Sequence, residues 1–170
     1  GATTADLLDR LDQDVLSLQP ALVIASTGKN DLHLGCSPHD YAEGVRTLTD
    51  RLAEVCPDSV FMTPLASGKA EVNTHFVAYA EEMLHLLPKA GIQFVDLFHE
   101  FEKLSPERFF TFKTPVANEY VGFQAGDIDF IHPNQLGYAY VAKIVLEHVF
   151  GLAFNHELFL KNNNTGEMYP

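Results

Sequence analysis

Apolar residues recur at helical spacing in four stretches of this chain, and short, nearly continuous apolar runs lie between them. The first stretch, Ala5 to Leu18, carries Leu7, Leu8, Leu11, Val15 and Leu18 on one face and is stopped by Pro20. Ala21 to Ser26 follows as an apolar run, which predicts a strand, and Thr27-Gly28-Lys29-Asn30-Asp31 predicts a polar turn at its carboxyl end. The order then repeats. Tyr41 to Val55 predicts a helix with Val45, Leu48, Leu52 and Val55 on one face, Pro57-Asp58 breaks it, and Val60 to Thr63 predicts a strand ending at Pro64. A third helix is predicted from about Val72 to Leu87, then Gly91 and a strand from Ile92 to Leu97. Pro133 opens a last helix, Gln135 to Val149, which Gly151 closes.

Strands alternating with helices imply right-handed crossovers, a parallel sheet and an α/β fold built as a three-layer α/β/α sandwich. Sites in such folds gather at the carboxyl ends of the strands. That rule puts the turn after Ser26, the loop after Pro64 and the segment leading to His132 on one rim.

At 170 residues and 46% hydrophobic, the chain is sized for one domain with a genuine core. The reading assigns residues 1–152 to that domain and 153–170 to a C-terminal extension. A formal charge of −12, with eleven Lys and Arg spread thinly, argues against binding a phosphate backbone, so no nucleic-acid partner is expected. No apolar run reaches the roughly 18 residues that a membrane-spanning helix needs, and no membrane span is expected. Cys36 and Cys56 are too few and too far apart for a disulfide framework or a zinc site, and the compartment stays open.

The densest chemistry lies in Asp129-Phe130-Ile131-His132-Pro133-Asn134, where a carboxylate precedes a histidine by three residues. An imidazole that takes and returns a proton near neutral pH needs a partner that fixes its tautomer and stabilises its charged form, and an aspartate does both. The plain alternative is a surface ion pair or a helix cap. Gly28-Lys29-Asn30-Asp31 adds an asparagine at a strand end, where its amide can face negative charge developing on an acyl oxygen, although Asn and Asp also favour such turns on their own account. Gly1-Ala2-Thr3-Thr4 places a glycine just ahead of the first helix, where its N–H can be a second such donor or the segment a simple cap.

Together, in this order, the three segments resemble the SGNH (GDSL-type) hydrolases, a family of esterases and acyl hydrolases with a flavodoxin-like fold. Gly1 matches the family's second block, Asn30 in G-x-N-D its third, and Asp129 with His132 in D-x-x-H-P-N its fifth. The stretch from Arg10 to Ile24 is also family-like, and the likeness runs from Gly1 to about Phe150. The resemblance implies Ser-His-Asp hydrolysis of a small acyl, acetyl-sugar or lysolipid ester. His132 would be the base, Asp129 its orienting partner, and Asn30 with the Gly1 N–H two oxyanion donors. It implies no cofactor and a small-molecule ester as partner.

One block has no match: the G-D-S that carries the family's nucleophile occurs nowhere in the sequence. The expectation is an N-terminally incomplete domain whose serine, with a strand, a helix and a second strand, lies upstream of Gly1, leaving Ala21 to Ser26 as an open apolar edge. The chain alone is then expected to be inactive or nearly so. Two other readings stay open. One is a catalytically silent module that holds a sugar or acyl group; the other is a split enzyme in which a second chain or a swapped neighbour supplies the missing strands.

Ser26, Ser37 and Ser67 lack a nucleophile-elbow sequence, and Cys36 reads as an ordinary loop cysteine before it reads as a thiol nucleophile. Val23 and Thr63 stand where a phosphate loop would need glycine ahead of Gly28-Lys29 and Gly68-Lys69. Asp127, Asp129 and His132 have no second histidine at helical ligand spacing, so no metal is expected there. His33, His39, His75, His85, His99 and His156 read as scattered surface or capping residues. Phe109, Phe110, Phe112, Tyr120 and Phe123, in the long irregular segment from Ser105 to Ile128, read as a packed loop core, with an acyl- or ring-binding wall as the lesser alternative.

Overall fold

The computed structural model describes residues 1–86, 92–119 and 122–161. Leu87, Gly91 and Tyr120, all named above, lie outside them, as does Asn163-Asn164-Thr165, which fits a glycosylation sequon too short to be more than chance. The chain forms two compact units: Gly1–Leu65 with Thr74–Phe98, and Ala66–Asn73 with the chain from His99 onward.

The first unit is α/β. Helix α1 (Thr4–Asp14) opens on a capping box in which the Thr3 hydroxyl accepts from the Asp6 N–H at 3.2 Å and the Asp6 carboxylate accepts from the Thr3 N–H at 2.8 Å. A 3-10 turn at Leu16–Leu18 follows, and Gln19 takes a left-handed conformation before Pro20. The predicted first helix thus ends early, and Leu18 is 74% exposed rather than on the buried face. Strand β1 (Ile24–Ser26) leads through Gly28 into a short helix α2 (Lys29–His33) where a turn was expected, and then α3 (Pro38–Val55) leads to β2 (Val60–Met62). Helix α4 (Ala70–Leu86) and β3 (Gln93–Val95) complete the alternation, and α5 (Leu97–Glu102) begins where the third strand was expected to continue. There the Phe98 N–H donates to the Thr63 hydroxyl at 2.9 Å, so a side chain takes the backbone donor that a longer strand would have offered to a ladder.

The sheet is parallel, in the order β1-β2-β3, with Val60 paired to Ile24 on one side and to Gln93 on the other. Central β2 is almost wholly buried, as parallel strands are, with Phe61 inaccessible. Around Phe61 gather Leu11 of α1, Tyr41, Val45, Leu48 and Leu52 of α3, and Tyr79 and Met83 of α4; Leu11, Val45, Leu48 and Leu52 were expected on the apolar faces, whereas Val55, expected there too, is 43% exposed at the end of α3. At the edge, β1 alternates exposed and half-buried, with Ile24 43% exposed. The ladder begins only at Ile24, so the predicted strand from Ala21 is half as long as expected.

Gly28 joins β1 to α2 at φ +116°, and a β-carbon there would fall 2.6 Å from Pro64 Cγ and 3.0 Å from the Tyr41 ring. Both the conformation and the space demand glycine. Gly28→Ala is predicted to cost about 2–4 kcal/mol of stability through strain and overpacking, read as a lower midpoint in urea unfolding.

In the second unit, α6 (Pro106–Phe109) starts the long segment, which then folds back on itself through single antiparallel bridges, Lys113 to Ile128 and Asn118 to Phe123. Phe109, Phe110 and Phe123 are buried, as a packed loop core requires. Helix α7 (Gln135–Phe150) has Asn134 as its cap and Gly151 as its left-handed terminator, and α8 (His156–Lys161) packs on it in the stretch read as an extension. Among the described residues no helix is long and apolar enough to cross a membrane.

Candidate active site

Asp129 and His132 meet as the spacing predicts. Asp129 Oδ2 lies 2.8 Å from His132 Nδ1, while its other oxygen, Oδ1, accepts from the backbone N–H groups of Ile131 at 2.8 Å and His132 at 2.9 Å. An ionised carboxylate only accepts, so Nδ1 donates, and in the neutral imidazole this places the lone pair on Nε2. The imidazole is 65% exposed and the carboxylate 17%. Partial burial pushes the Asp129 carboxyl up, but the N–H and imidazole hydrogen bonds from His132 and the Ile131 N–H outweigh it and hold the group below its ordinary value of 3.8.

The loop is held at both ends. The Asp129 N–H donates to the Phe112 carbonyl at 2.7 Å. Beyond the histidine, buried Asn134 caps α7 by accepting from the Gly137 N–H at 3.1 Å, and its amide donates to the Arg108 carbonyl at 2.9 Å and the Thr111 hydroxyl at 3.0 Å. In the sequence Pro133 marked the opening of the last helix, with no role given to Asn134. The cap was legible from an Asn preceding an apolar helical pattern; the bonds to Arg108 and Thr111 were not. Asp127 turns to the Gln124 N–H at 2.8 Å, and so is engaged in its own turn.

Gly1 and Asn30 meet in the first unit. The Asn30 amide donates to the Ala2 carbonyl at 2.9 Å, and a β-carbon on Gly1 would lie 2.6 Å from that same amide nitrogen. Asn30 stands on α2, whose next residue, buried Asp31, was read only as a turn former. Its carboxylate accepts from the Thr4 N–H at 3.0 Å and from the Thr27 hydroxyl at 3.3 Å, tying the start of α1 to the end of β1. Its G-x-N-D context was the available signal, but its burial was not visible in the sequence.

The other nucleophile candidates are occupied. Ser26 donates to the Thr63 carbonyl, Ser37 caps α3, and Ser67 is buried and donates to the Phe130 carbonyl. Burial pushes the Cys36 thiol up, and the charges of Asp31 and Asp40 push it further, which is the wrong direction for a thiolate. Of the scattered histidines, His33, His99 and His156 are half-buried rather than on the surface, and burial lowers His33 and His156. Beside the Asp129 loop, Lys69, Phe110, Ile128 and Phe130 line a groove of about 660 Å³, with Glu107 and Thr111 also on its walls.

Comparison with solved structures places the fold. An acetylxylan esterase from Geobacillus stearothermophilus superimposes with a TM-score of 0.66 at 19% identity, over 91% of this chain and 69% of that one. An alpha/beta hydrolase enzyme from the metagenome of Lake Arreo gives 0.69 at 20% identity, over 90% and 70%. Catalytic mutants of the Geobacillus esterase replace a serine, an aspartate and a histidine by alanine, and that aspartate precedes that histidine by three positions. Asp129 and His132 have the same spacing. No curated protein matches the chain. The model of the GDSL-like lipase/acylhydrolase family matches residues 1–140, a span that holds Gly1, Asn30, Asp129 and His132 together, and the chain belongs to that family.

Proposed function

We propose that this chain carries the base, its orienting acid and two oxyanion donors of a serine ester hydrolase. The hydrogen bond from Nδ1 of His132 to Asp129, which leaves Nε2 free to accept, is the observation that carries this reading. A serine hydroxyl attacks the acyl carbon and gives its proton to Nε2, and Asp129 steadies the imidazolium that forms. The carbonyl oxygen, now an oxyanion, takes the second hydrogen of the Asn30 amide and the Gly1 N–H. His132 returns the proton to the departing alcohol, and water then repeats the sequence on the acyl-serine, releasing the acid and regenerating the hydroxyl. Glycine at position 1 fits this role, because any side chain there would press on the Asn30 amide.

The serine belongs to a segment preceding Gly1, and that segment pairs with the open edge of β1. The exposed Ile24 supports this, as does a mostly apolar cavity of about 190 Å³ next to that strand, lined by Leu7, Leu11, Val15, Val23 and Ala25 with Arg10 and Asp14 also on its walls. The substrate class is a small acyl ester, for which an acetylated sugar is the first choice given the acetylxylan esterase among the structural neighbours. The groove lined by Phe110 and Phe130 serves as the wall for the ester's apolar part.

The 170-residue chain alone is predicted to hydrolyse 4-nitrophenyl acetate at or near the buffer rate, and joining the serine-bearing segment to Gly1 is predicted to raise turnover by a factor on the order of 10⁶. Full activity in the 170-residue chain would remove the upstream serine from the account. Restoration by a separately added segment would show that the enzyme works as two pieces, and sugar binding without hydrolysis in the joined chain would make it a binding module.

A further inference from the structure

We propose that Ser67 and Gly68 are positioning residues for the Asp129–His132 pair, acting through the peptide between Phe130 and Ile131. The Phe130 carbonyl accepts two hydrogen bonds, from the Ser67 hydroxyl at 3.0 Å and from the Gly68 N–H at 2.8 Å. The N–H on the far side of the same planar peptide belongs to Ile131, and it donates to Asp129 Oδ1 at 2.8 Å. A peptide plane has one orientation: anchoring its carbonyl on one side aims its N–H on the other. The two donors therefore set the direction from which Asp129 is held, and Asp129 in turn holds His132.

The anchor is itself fixed. Asn73 accepts from the Ser67 N–H at 2.7 Å and donates to the Ser67 carbonyl at 3.0 Å, while the Ser67 hydroxyl also accepts from the Lys69 N–H at 3.1 Å. The Lys69 ammonium lies 4.1 Å from the centre of the Phe130 ring, and Val72 packs on the cluster of Phe123, Phe130 and Ile131. Gly68 has no room for a side chain, since a β-carbon would fall 2.8 Å from Phe110. The segment Ala66–Asn73 accordingly belongs to the same compact unit as the pair, far from it though it lies in the sequence.

The importance of this device for hydrolysis rests on His132 being the base, but its geometry is tested without any turnover. In the 170-residue chain, Ser67→Ala is expected to raise the Asp129 titration midpoint, followed by carboxyl ¹³C NMR, by roughly half a pH unit as the Ile131 N–H loses its aim. Ser67→Thr, which keeps the hydroxyl, is expected to leave the midpoint near that of the parent. Ser67→Cys keeps the volume with a weak donor and is expected to give a smaller shift of the same sign, which serves the test should the alanine variant fail to fold. An unmoved Asp129 midpoint in a folded Ser67→Ala chain, or in Ser67→Cys if alanine does not fold, overturns the proposal. Such a result would leave the assignment of His132 standing, whereas loss of that assignment would leave the NMR shift in place.

Discussion

His132→Ala, in the chain joined to its serine-bearing segment, is predicted to lower kcat for an acetyl ester by a factor on the order of 10⁶ with KM little changed. The size of the effect follows from the role. In the proposed role Nε2 would both accept the serine proton and return it to the leaving group, so its loss would leave only binding and the oxyanion donors at work. The imidazole is mostly exposed and pairs with Asp129, so the substitution removes little packing. The variant is expected to unfold cooperatively, lower than the parent only by the lost imidazole–carboxylate hydrogen bond, which separates lost chemistry from lost fold. Activity within a few-fold of the parent would sink the assignment.

Asp129→Asn is the second large effect, with kcat falling by about 10⁴ as the imidazole loses the carboxylate that fixes its tautomer. This variant also has a signature in stability. Burial raises the Asp129 carboxyl, but the hydrogen bonds from His132 and Ile131 prevail and lower it in the folded state. A group lowered on folding contributes stability that is fully present above its unfolded value, here near 3.8, and lost as pH falls through the folded one. Stability of the parent therefore declines with acid below about pH 4, and Asp129→Asn is predicted to lack that component of the decline. Denaturant unfolding followed between pH 2 and pH 6 checks it, and identical acid slopes in the two proteins would contradict it.

The alternation of strands and helices was legible because helical spacing and strand length are local properties. The Asp129–His132 pair was legible for the same reason, since three residues of loop set its geometry. Extents were less so. The strand from Ala21 shrank to Ile24–Ser26 because a strand is as long as its neighbour's ladder, and only β2 lies beside it in the described sheet. Asn30 and Asp31 read as a turn but stand on a five-residue helix, which begins at Gly28 in a left-handed conformation and is fastened by Asp31 to Thr4 and Thr27. Ser67 was weighed as a nucleophile and is instead a buried donor. Its partner, the Phe130 carbonyl, is remote in sequence and carries no side-chain signal of that contact.

The most direct measurement traps the nucleophile itself. When the joined chain is treated with a fluorophosphonate and mapped by mass spectrometry, the account predicts a single phosphonylated serine in the segment preceding Gly1, with labelling abolished by His132→Ala. Labelling at Ser26, Ser37 or Ser67, or labelling at the upstream serine that proceeds unchanged without His132, would contradict it.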